Sequence, residues 1–282
     1  MILLQDKLFQ RSEVHIDIED RGFQFGDGIY EVIRVYNGKS FGMAEHMERL
    51  ERSAKEIQIH LPYPIELLVE RLNDLVRATN LKDGQIYIQI TRGVFERMHH
   101  FPIHPQSTLV AYTKETVRPI DKMENGISAI TTEDIRWLRC DIKSLNLLGN
   151  VLCKQQAKEA NCEEAILIRG NTVTEGSSTN VFIIKEGTLF THPANNYILN
   201  GITRNEIIQI AKSEYLPIKE EAFDKEMLLD ADEVIVTSTT MEITPVTMIN
   251  DHQIGSGERG PITKKLQMKF NEKVEEVQNA TN

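Results

Sequence analysis

Short stretches with strand character alternate irregularly with helical patterns along the whole chain. Residues 29–36 are rich in β-branched and aromatic side chains and end at Asn37-Gly38, a dipeptide typical of a hairpin turn. Apolar residues then recur at helical spacing, at Met43, Met47, Leu50, Ala54 and Ile57. A chain in which strands and helices mix in this way is expected to form mixed sheets with packed helices, so the predicted fold class is α/β, or α+β mixed.

The chain also predicts two domains. Strand patterns near residues 86–90 and 108–113 precede a charged stretch, residues 114–125, which is the best candidate for a linker. We therefore expect a smaller N-terminal α/β domain over residues 1–118 and a larger C-terminal mixed-sheet domain over residues 119–282. In that second part, strands are expected at residues 127–132, 165–168, 181–184, 188–190 and 233–236, and helices after Gly201 and along residues 262–274.

Charge and composition exclude several classes of function. The chain has 282 residues, with 42 acidic and 32 basic side chains and a formal net charge of -10. Nucleic acids and anionic membranes are bound by basic faces, so neither is an expected partner. No apolar run approaches the roughly 18 residues of a membrane span, and the three cysteines lack metal or disulfide spacing. A cytoplasmic protein with reduced thiols is the expectation.

The most unusual segment is residues 134–149, which hold the only tryptophan and mix charged with large apolar residues. Lys143 stands just before Leu145, Leu147 and Leu148. A desolvated lysine favours its neutral amine, which is the form that reacts with an aldehyde. The ordinary alternative is a lysine that reaches out to water or pairs with Asp141.

A second segment, residues 172–180, contains Glu175 followed by glycine and four small polar residues. We interpret it as a loop whose backbone N–H groups and hydroxyls can approach a ligand, with a carboxylate able to hold a protonated ring nitrogen. An ordinary Ser/Thr-rich turn is the alternative.

Two further segments could bind an anion. Gly201-Ile202-Thr203-Arg204 stands at a predicted helix start, where free N–H groups and the helix dipole favour phosphate. Residues 237–240, which include Thr239, offer hydroxyls at the end of a strand. Each alone is also compatible with an ordinary helix cap or turn.

Arg97, His99 and His100 follow a predicted strand. An arginine beside a histidine suits a carboxylate, because guanidinium can bind it through two hydrogen bonds. A solvated loop is the alternative. A metal site at His99, His100 and His104 is disfavoured, because no cysteine or carboxylate completes a recognised spacing. We therefore predict no metal.

The glycines of residues 20–31 are superficially similar to a dinucleotide fingerprint. That motif follows a strand and opens a helix, whereas these glycines lead into a strand. We reject it and expect Tyr30 to project into a pocket where the strand begins.

Together, and in this order, the segments resemble the class-IV pyridoxal-phosphate aminotransferases. The resemblance runs from about Asp17 to Pro245. It rests on DRGFQFGDGIYE at residues 20–31, His46-x-x-Arg49-Leu, DIKSLN around Lys143, VTEGSSTN around Glu175, Gly201-Ile-Thr-Arg and TSTTMEITP at residues 237–245. The block around Lys143 and the Arg97-Met98-His99 loop are most similar to the family members that act on D-amino acids.

The resemblance implies a role for each candidate residue and a two-domain fold of type IV. Lys143 would carry the pyridoxal 5'-phosphate aldehyde as a Schiff base and act as the catalytic base. The other cofactor residues would be Arg49, Glu175, Leu199, Ile202, Thr203 and Thr239. Tyr30, Arg97 and His99 would fix the substrate carboxylate, although the adjacent His100 leaves open which histidine does so.

The resemblance further implies reversible amino transfer between a D-amino acid, such as D-alanine, and 2-oxoglutarate, giving pyruvate and D-glutamate. It also implies a homodimer, because the substrate-carboxylate loop of such enzymes crosses a dimer interface. The alternatives are a branched-chain aminotransferase acting on L-amino acids, a lyase acting on aminodeoxychorismate, and a non-catalytic protein that binds an anion or a metal.

Overall fold

The computed structural model describes residues 1–279, and these form two compact units. The first unit comprises Met1–Val117, Ile142–Asn146 and the described residues from Glu276 onward, and the second comprises Arg118–Asp141 and Leu147–Glu275. The predicted division after residue 118 places Ile142–Asn146 and the described residues from Glu276 onward in the second domain, whereas the structure places both segments in the first unit. As a result, Lys143 belongs to the first unit rather than to the second.

The first unit is built on a six-stranded sheet in the order β2-β1-β6-β5-β3-β4, in which all neighbouring strands are antiparallel. Its elements are β1 (Ile2–Leu4), β2 (Lys7–Phe9), α1 (Arg21–Phe25), β3 (Gly28–Tyr36), β4 (Lys39–Ser40), α2 (Met43–Glu56), α3 (Ile65–Ala78), β5 (Gly84–Thr91) and β6 (Thr108–Glu115), with a short 3-10 turn at Arg11–Glu13. The predicted strand before the Asn37-Gly38 turn and the helix that starts at Met43 are confirmed.

One face of this sheet and the apolar stripes of α2 and α3 form the core of the first unit. Ile33 and Ile88 of the sheet pack with Leu50 of α2 and with Leu72 of α3, and all four are closed to solvent. The side chains of β3 alternate across the sheet, so Tyr30 stands on the face opposite to Ile29 and Ile33. The core therefore fixes the face of β3 from which Tyr30 projects.

The second unit contains a nine-stranded mixed sheet, ordered β12-β11-β10-β13-β14-β7-β8-β9, with β15 paired to β14. The pairs β11–β12, β14–β7 and β7–β8 are parallel, and the other pairs are antiparallel. Its strands are β7 (Ile127–Glu133), β8 (Glu164–Arg169), β9 (Thr172–Gly176), β10 (Asn180–Lys185), β11 (Thr188–Thr191), β12 (Ile218–Lys219), β13 (Glu233–Ser238), β14 (Glu242–Ile249) and β15 (His252–Gln253). Its helices are α4 (Ile120–Asn125), α5 (Leu148–Glu159), α6 (Ile202–Ser213), α7 (Lys225–Leu229) and α8 (Pro261–Asn279), the last of which ends in residues of the first unit.

One local prediction for this part of the chain was wrong. The stretch predicted as a loop, residues 172–180, begins as strand β9, and only residues 177–179 lie outside the strands. The predicted linker, residues 114–125, does contain the boundary between the two units, between Val117 and Arg118, but it also holds the end of β6 and all of α4. The side chain of Met123 explains the helix, because it is buried while the charged residues around it face outward.

The mixed fold class itself is confirmed by the two sheets and their helices. No helix among residues 1–279 is both long and apolar enough to cross a membrane.

Candidate active site

Lys143 lies on an irregular segment that the first unit holds through its main chain. Its carbonyl accepts a hydrogen bond from Tyr30 N (3.0 Å), and its N–H donates to Ser53 Oγ of α2 (3.3 Å). The neighbouring Leu145 N donates to Gly28 O (2.9 Å). The segment is thus bonded to the start of β3, and the half-buried Lys143 amine stands 4.2 Å from the centre of the Tyr30 ring.

A buried group of three charged or polar side chains lies on β3 and α2 of the same unit. Arg49 donates from Nε to Glu31 Oε1 (2.7 Å) and from Nη2 to Glu31 Oε2 (2.9 Å), and Glu31 is fully buried. His46 Nδ1 lies 2.7 Å from Glu31 Oε2. Because His46 and Arg49 are three residues apart, they share one face of α2 and reach the same carboxylate.

Electrostatics explains the protonation states in this group. Burial opposes ionisation of Glu31, but the charge of Arg49 and hydrogen bonds from His46 and Arg49 hold its pKa well below the usual range. Burial, with the charges of Arg49 and Lys143, lowers the pKa of His46 below its ordinary value, although the hydrogen bond and charge of Glu31 raise it. Since an ionised carboxylate can only accept, the neutral His46 ring carries its proton on Nδ1 and donates it to Glu31.

Arg97 and His99 lie on an exposed part of the loop after β5, and both contact one aromatic ring of α1. The Arg97 guanidinium is 4.8 Å from the centre of the Phe25 ring, and the His99 ring centre is 5.6 Å from it. His100 Nδ1 instead lies 3.1 Å from the carbonyl of the adjacent Phe101. The structure therefore groups His99, and not His100, with Arg97.

The base of this loop is fixed by buried arginines. Arg21 donates to Met98 O (2.6 Å) and, through Nε, to Asp27 Oδ2 (2.8 Å). Arg92 binds both oxygens of the same Asp27 (2.8 and 2.9 Å).

Within residues 1–279 no group of three or more histidine, cysteine or acidic side chains is arranged to hold a metal ion.

In the second unit, Glu175 is the fourth residue of β9 and is almost fully buried. Its Oε1 accepts from Arg136 Nη1, its Oε2 accepts from Asn180 Nδ2 (2.9 Å), and the Leu199 N–H is shared between Oε2 (3.1 Å) and Oε1 (3.3 Å). Burial raises the pKa of Glu175 to about 7, against the lowering effect of Arg136. Glu175 and Leu199, both predicted as site residues, are thus brought into direct contact.

A third group of predicted residues lies around the start of α6 and the turn between β13 and β14. Ile202 and Thr203 form the first turn of α6, and its N-cap, Gly201, has no side chain that could accept from their N–H groups. Thr239 lies in the three-residue turn after β13, a strand against which α6 packs. In this region Thr237 Oγ1 is buried and has no hydrogen-bond partner among the described residues. Free N–H groups at a helix start and an unpartnered hydroxyl can donate hydrogen bonds to an anion such as a phosphate.

The partners of the candidate residues were not predicted from the sequence. Glu31 and His46 occur in the recognised motifs, but only the structure shows that they bind Arg49 and each other. The spacing of His46 and Arg49 on a helix could have predicted a shared partner. Arg136 carried no signal of its own, because the irregular segment 134–141 gives no periodicity from which its direction could be read.

The family model described as amino-transferase class IV matches residues 28–249. A D-alanine aminotransferase of Staphylococcus haemolyticus is 52% identical over 97% of this chain and 98% of its own length. Among solved structures, the branched-chain amino acid aminotransferase of Escherichia coli is similar with a TM-score of 0.92 and 28% identity, over 96% of this chain and 93% of that one. The branched-chain aminotransferase of the archaeon Thermoproteus uzoniensis, solved with norvaline, gives a TM-score of 0.89 and 28% identity, over 99% and 95%.

The chain belongs to the class IV aminotransferases, because the family model spans more than half of it and the curated relative covers nearly all of it. It is therefore an enzyme of the transaminase type with the fold of that family, as the sequence predicted.

Proposed function

We propose that this enzyme is a D-amino-acid aminotransferase that depends on pyridoxal 5'-phosphate. It would move an amino group reversibly between a D-amino acid, such as D-alanine, and 2-oxoglutarate, with pyruvate and D-glutamate as products. The observation that carries the proposal is the Lys143 amine, held by its main chain against β3 and placed 4.2 Å from the Tyr30 ring. The D-alanine aminotransferase at 52% identity supports the substrate.

The described residues fit the cofactor. Its phosphate suits the uncapped first turn of α6 at Ile202 and Thr203, together with Thr239 of the same unit. Arg49 keeps the role of phosphate-binding cation that the family resemblance implies. The unpartnered Thr237 Oγ1 supports a polar ligand near that turn. Glu175 suits a protonated ring nitrogen. The N–H of Leu199 donates to Glu175, and we place the Leu199 side chain behind the ring.

Lys143 performs the proton transfer in this proposal. When bound, the cofactor supplies an aldehyde that accepts an amine and a ring that withdraws charge from the substrate α-carbon. The Lys143 amine takes the proton from the substrate Cα in one direction and returns a proton to Cα in the other. Its main chain is bonded to Tyr30 and Ser53, which anchors the residue that carries the amine at the start of β3.

Tyr30, Arg97 and His99 hold the substrate carboxylate. Arg97 supplies the paired N–H groups that bind a carboxylate through two hydrogen bonds, and Phe25 supports both Arg97 and His99. Fixing the carboxylate leaves one face of Cα for the hydrogen that Lys143 removes. In this proposal the position of the carboxylate relative to the Lys143 amine selects the enantiomer, and the D-alanine aminotransferase relative supports the D form.

A homodimer is supported by an exposed apolar surface of the second unit. Leu148, Val151 and Leu152 are 72%, 57% and 48% exposed at helical spacing on α5, and Leu138 and Trp137 are 60% and 42% exposed. Apolar groups concentrated in this way are typical of interfaces between subunits. A second copy of the chain would cover them.

The three cysteines are free, which supports a reducing, cytoplasmic compartment.

The decisive experiment assays D-alanine and L-alanine separately with 2-oxoglutarate while the visible absorbance of the bound cofactor is recorded. The proposal expects pyruvate from D-alanine only. Turnover confined to L-leucine and related L-substrates would instead identify a branched-chain enzyme, the activity of the E. coli structural relative. Pyruvate released from aminodeoxychorismate without an amino acceptor would identify a lyase.

A further inference from the structure

Glu175 has only a limited capacity to accept further hydrogen bonds. An ionised carboxylate offers about four lone-pair sites. Three groups already donate to Glu175: Arg136 Nη1 to Oε1, Asn180 Nδ2 to Oε2, and the Leu199 N–H to both oxygens. About one site is left, and these donors fix its direction.

Arg136 is the only side-chain cation among these donors, and it is itself locked in place. Its Nε and Nη2 bind the two oxygens of Asp134 at 2.9 Å each, and Nη2 also donates to Tyr197 O (3.1 Å). The Arg136 side chain is 5% exposed and that of Asp134 is fully buried. Thr174 Oγ1 donates to Asp134 Oδ2 (2.9 Å), so a rigid chain of bonds runs from Thr174 through Asp134 and Arg136 to Glu175.

From this geometry we infer that Arg136 is a positioning residue that favours the ionised form of Glu175 and directs its remaining acceptor site at the ring nitrogen of the cofactor. The inference rests on the proposed function, because it assumes that Glu175 holds that nitrogen. Arg136 touches neither cofactor nor substrate in this account. It acts through the carboxylate.

The electrostatic reason is the burial of Glu175. Burial and the nearby Asp134 raise the pKa of Glu175, and the charge and hydrogen bond of Arg136 and the N–H of Leu199 lower it, so that it lies at about 7 with Arg136 in place. Cys140, which also faces this group, has its pKa raised to about 11 by burial and is therefore a neutral neighbour. Without Arg136 the pKa of Glu175 would lie higher still, and the carboxyl would be mostly protonated at neutral pH. A protonated carboxyl does not hold a charged ring nitrogen, so the ring would withdraw charge less well.

The test compares the affinity of the apoenzyme for pyridoxal phosphate with its affinity for the 1-deaza analogue, in which carbon replaces the ring nitrogen. The ratio of the two affinities reports only on the ring nitrogen, so general damage to the protein cancels. We expect the wild-type protein to bind pyridoxal phosphate more tightly than the 1-deaza analogue. In Arg136→Gln the ratio of the two affinities should fall by at least about tenfold, which corresponds to one unit of pKa. Arg136→Lys should restore part of it. The ¹⁵N resonance of labelled cofactor, read against pH, should show the ring nitrogen of Arg136→Gln losing its proton at lower pH than that of the wild type.

Arg169→Gln is the matched control. Arg169 also pairs with Asp134 (3.0 Å) and its loss removes the same charge, but it makes no hydrogen bond to Glu175. The preference of Arg169→Gln for pyridoxal phosphate over the 1-deaza analogue should stay within about twofold of that of the wild type. If Arg136→Gln keeps the wild-type preference and ¹⁵N profile, the inference is wrong although the proposed function stands. If the wild-type protein itself shows no preference, the assignment of Glu175, and with it this part of the proposed function, fails.

Discussion

Arg49 and Glu31 form a two-bond ion pair that is almost closed to solvent, with 2.7 Å from Nε to Oε1 and 2.9 Å from Nη2 to Oε2. Glu31 is on β3 and Arg49 on α2, so the pair ties the helix to the strand that carries Tyr30. It also sets the direction of the guanidinium that we propose for phosphate binding. A cation that must bind an anion is thereby orientated before the anion arrives.

The first prediction concerns Glu31→Gln. The change leaves Arg49 buried without its counter-ion, and breaking a buried pair in this way costs about 3–5 kcal/mol. The free energy of unfolding of the apoenzyme in urea should fall by that amount. Glu48→Gln makes the same chemical change on the exposed side of α2 and should alter the free energy by less than about 0.5 kcal/mol. Equal effects of the two changes would show that the Glu31–Arg49 pair adds nothing to stability.

The second prediction concerns stability against pH. Both His46 and Glu31 have pKa values below their ordinary ones, so the unfolded chain binds more protons than the folded one on acidification. The stability that each contributes is complete above its ordinary value, 6.5 for His46 and 4.5 for Glu31, and is lost as the pH falls below it. Urea unfolding at a series of pH values should show two successive losses. His46→Asn should reduce the loss that begins near pH 6.5 and leave the one below about pH 4.5; the part that remains belongs to His192, whose pKa burial also lowers. A first loss as large in the variant as in the wild type would show that His46 does not contribute to it.

The sequence predicted the regular parts of the molecule and the recognised motifs better than the connections between them. Helix α2 and strands β3 and β5 follow from apolar periodicity, which reports the face that each element buries. Strand β9 was mistaken for a loop because its polar residues, such as Thr174 and Glu175, are buried through hydrogen bonds rather than through apolar packing. Partners distant in sequence, such as Arg136 and Glu175, leave no periodic trace. They meet only because the irregular segment that carries Arg136 is held beside β9.

The third prediction concerns Lys143→Ala. If the amine is the base at Cα, turnover of D-alanine should fall by at least about 10²–10⁴-fold, the usual contribution of a positioned acid or base. The fold should survive, because Tyr30 N and Ser53 Oγ bind the main chain of residue 143 and not its side chain. Circular dichroism of the variant checks this. Lys158→Ala, an exposed lysine of α5, should keep normal turnover. A Lys143→Ala enzyme with a tenth of the normal turnover would place the base elsewhere.

The fourth prediction separates the residues of the loop after β5. Arg97→Ala removes one partner of the proposed carboxylate contact, which should weaken substrate binding by roughly 2–4 kcal/mol and raise KM for D-alanine about 30-fold to 900-fold. His99→Ala should raise KM as well, because His99 shares the Phe25 contact with Arg97. His100→Ala is the matched control, since that ring bonds its own loop at Phe101 O and should leave KM unchanged. An increase in KM for His100→Ala with none for His99→Ala would reverse the assignment of the two histidines, and an unchanged KM for Arg97→Ala would show that the loop does not hold the carboxylate.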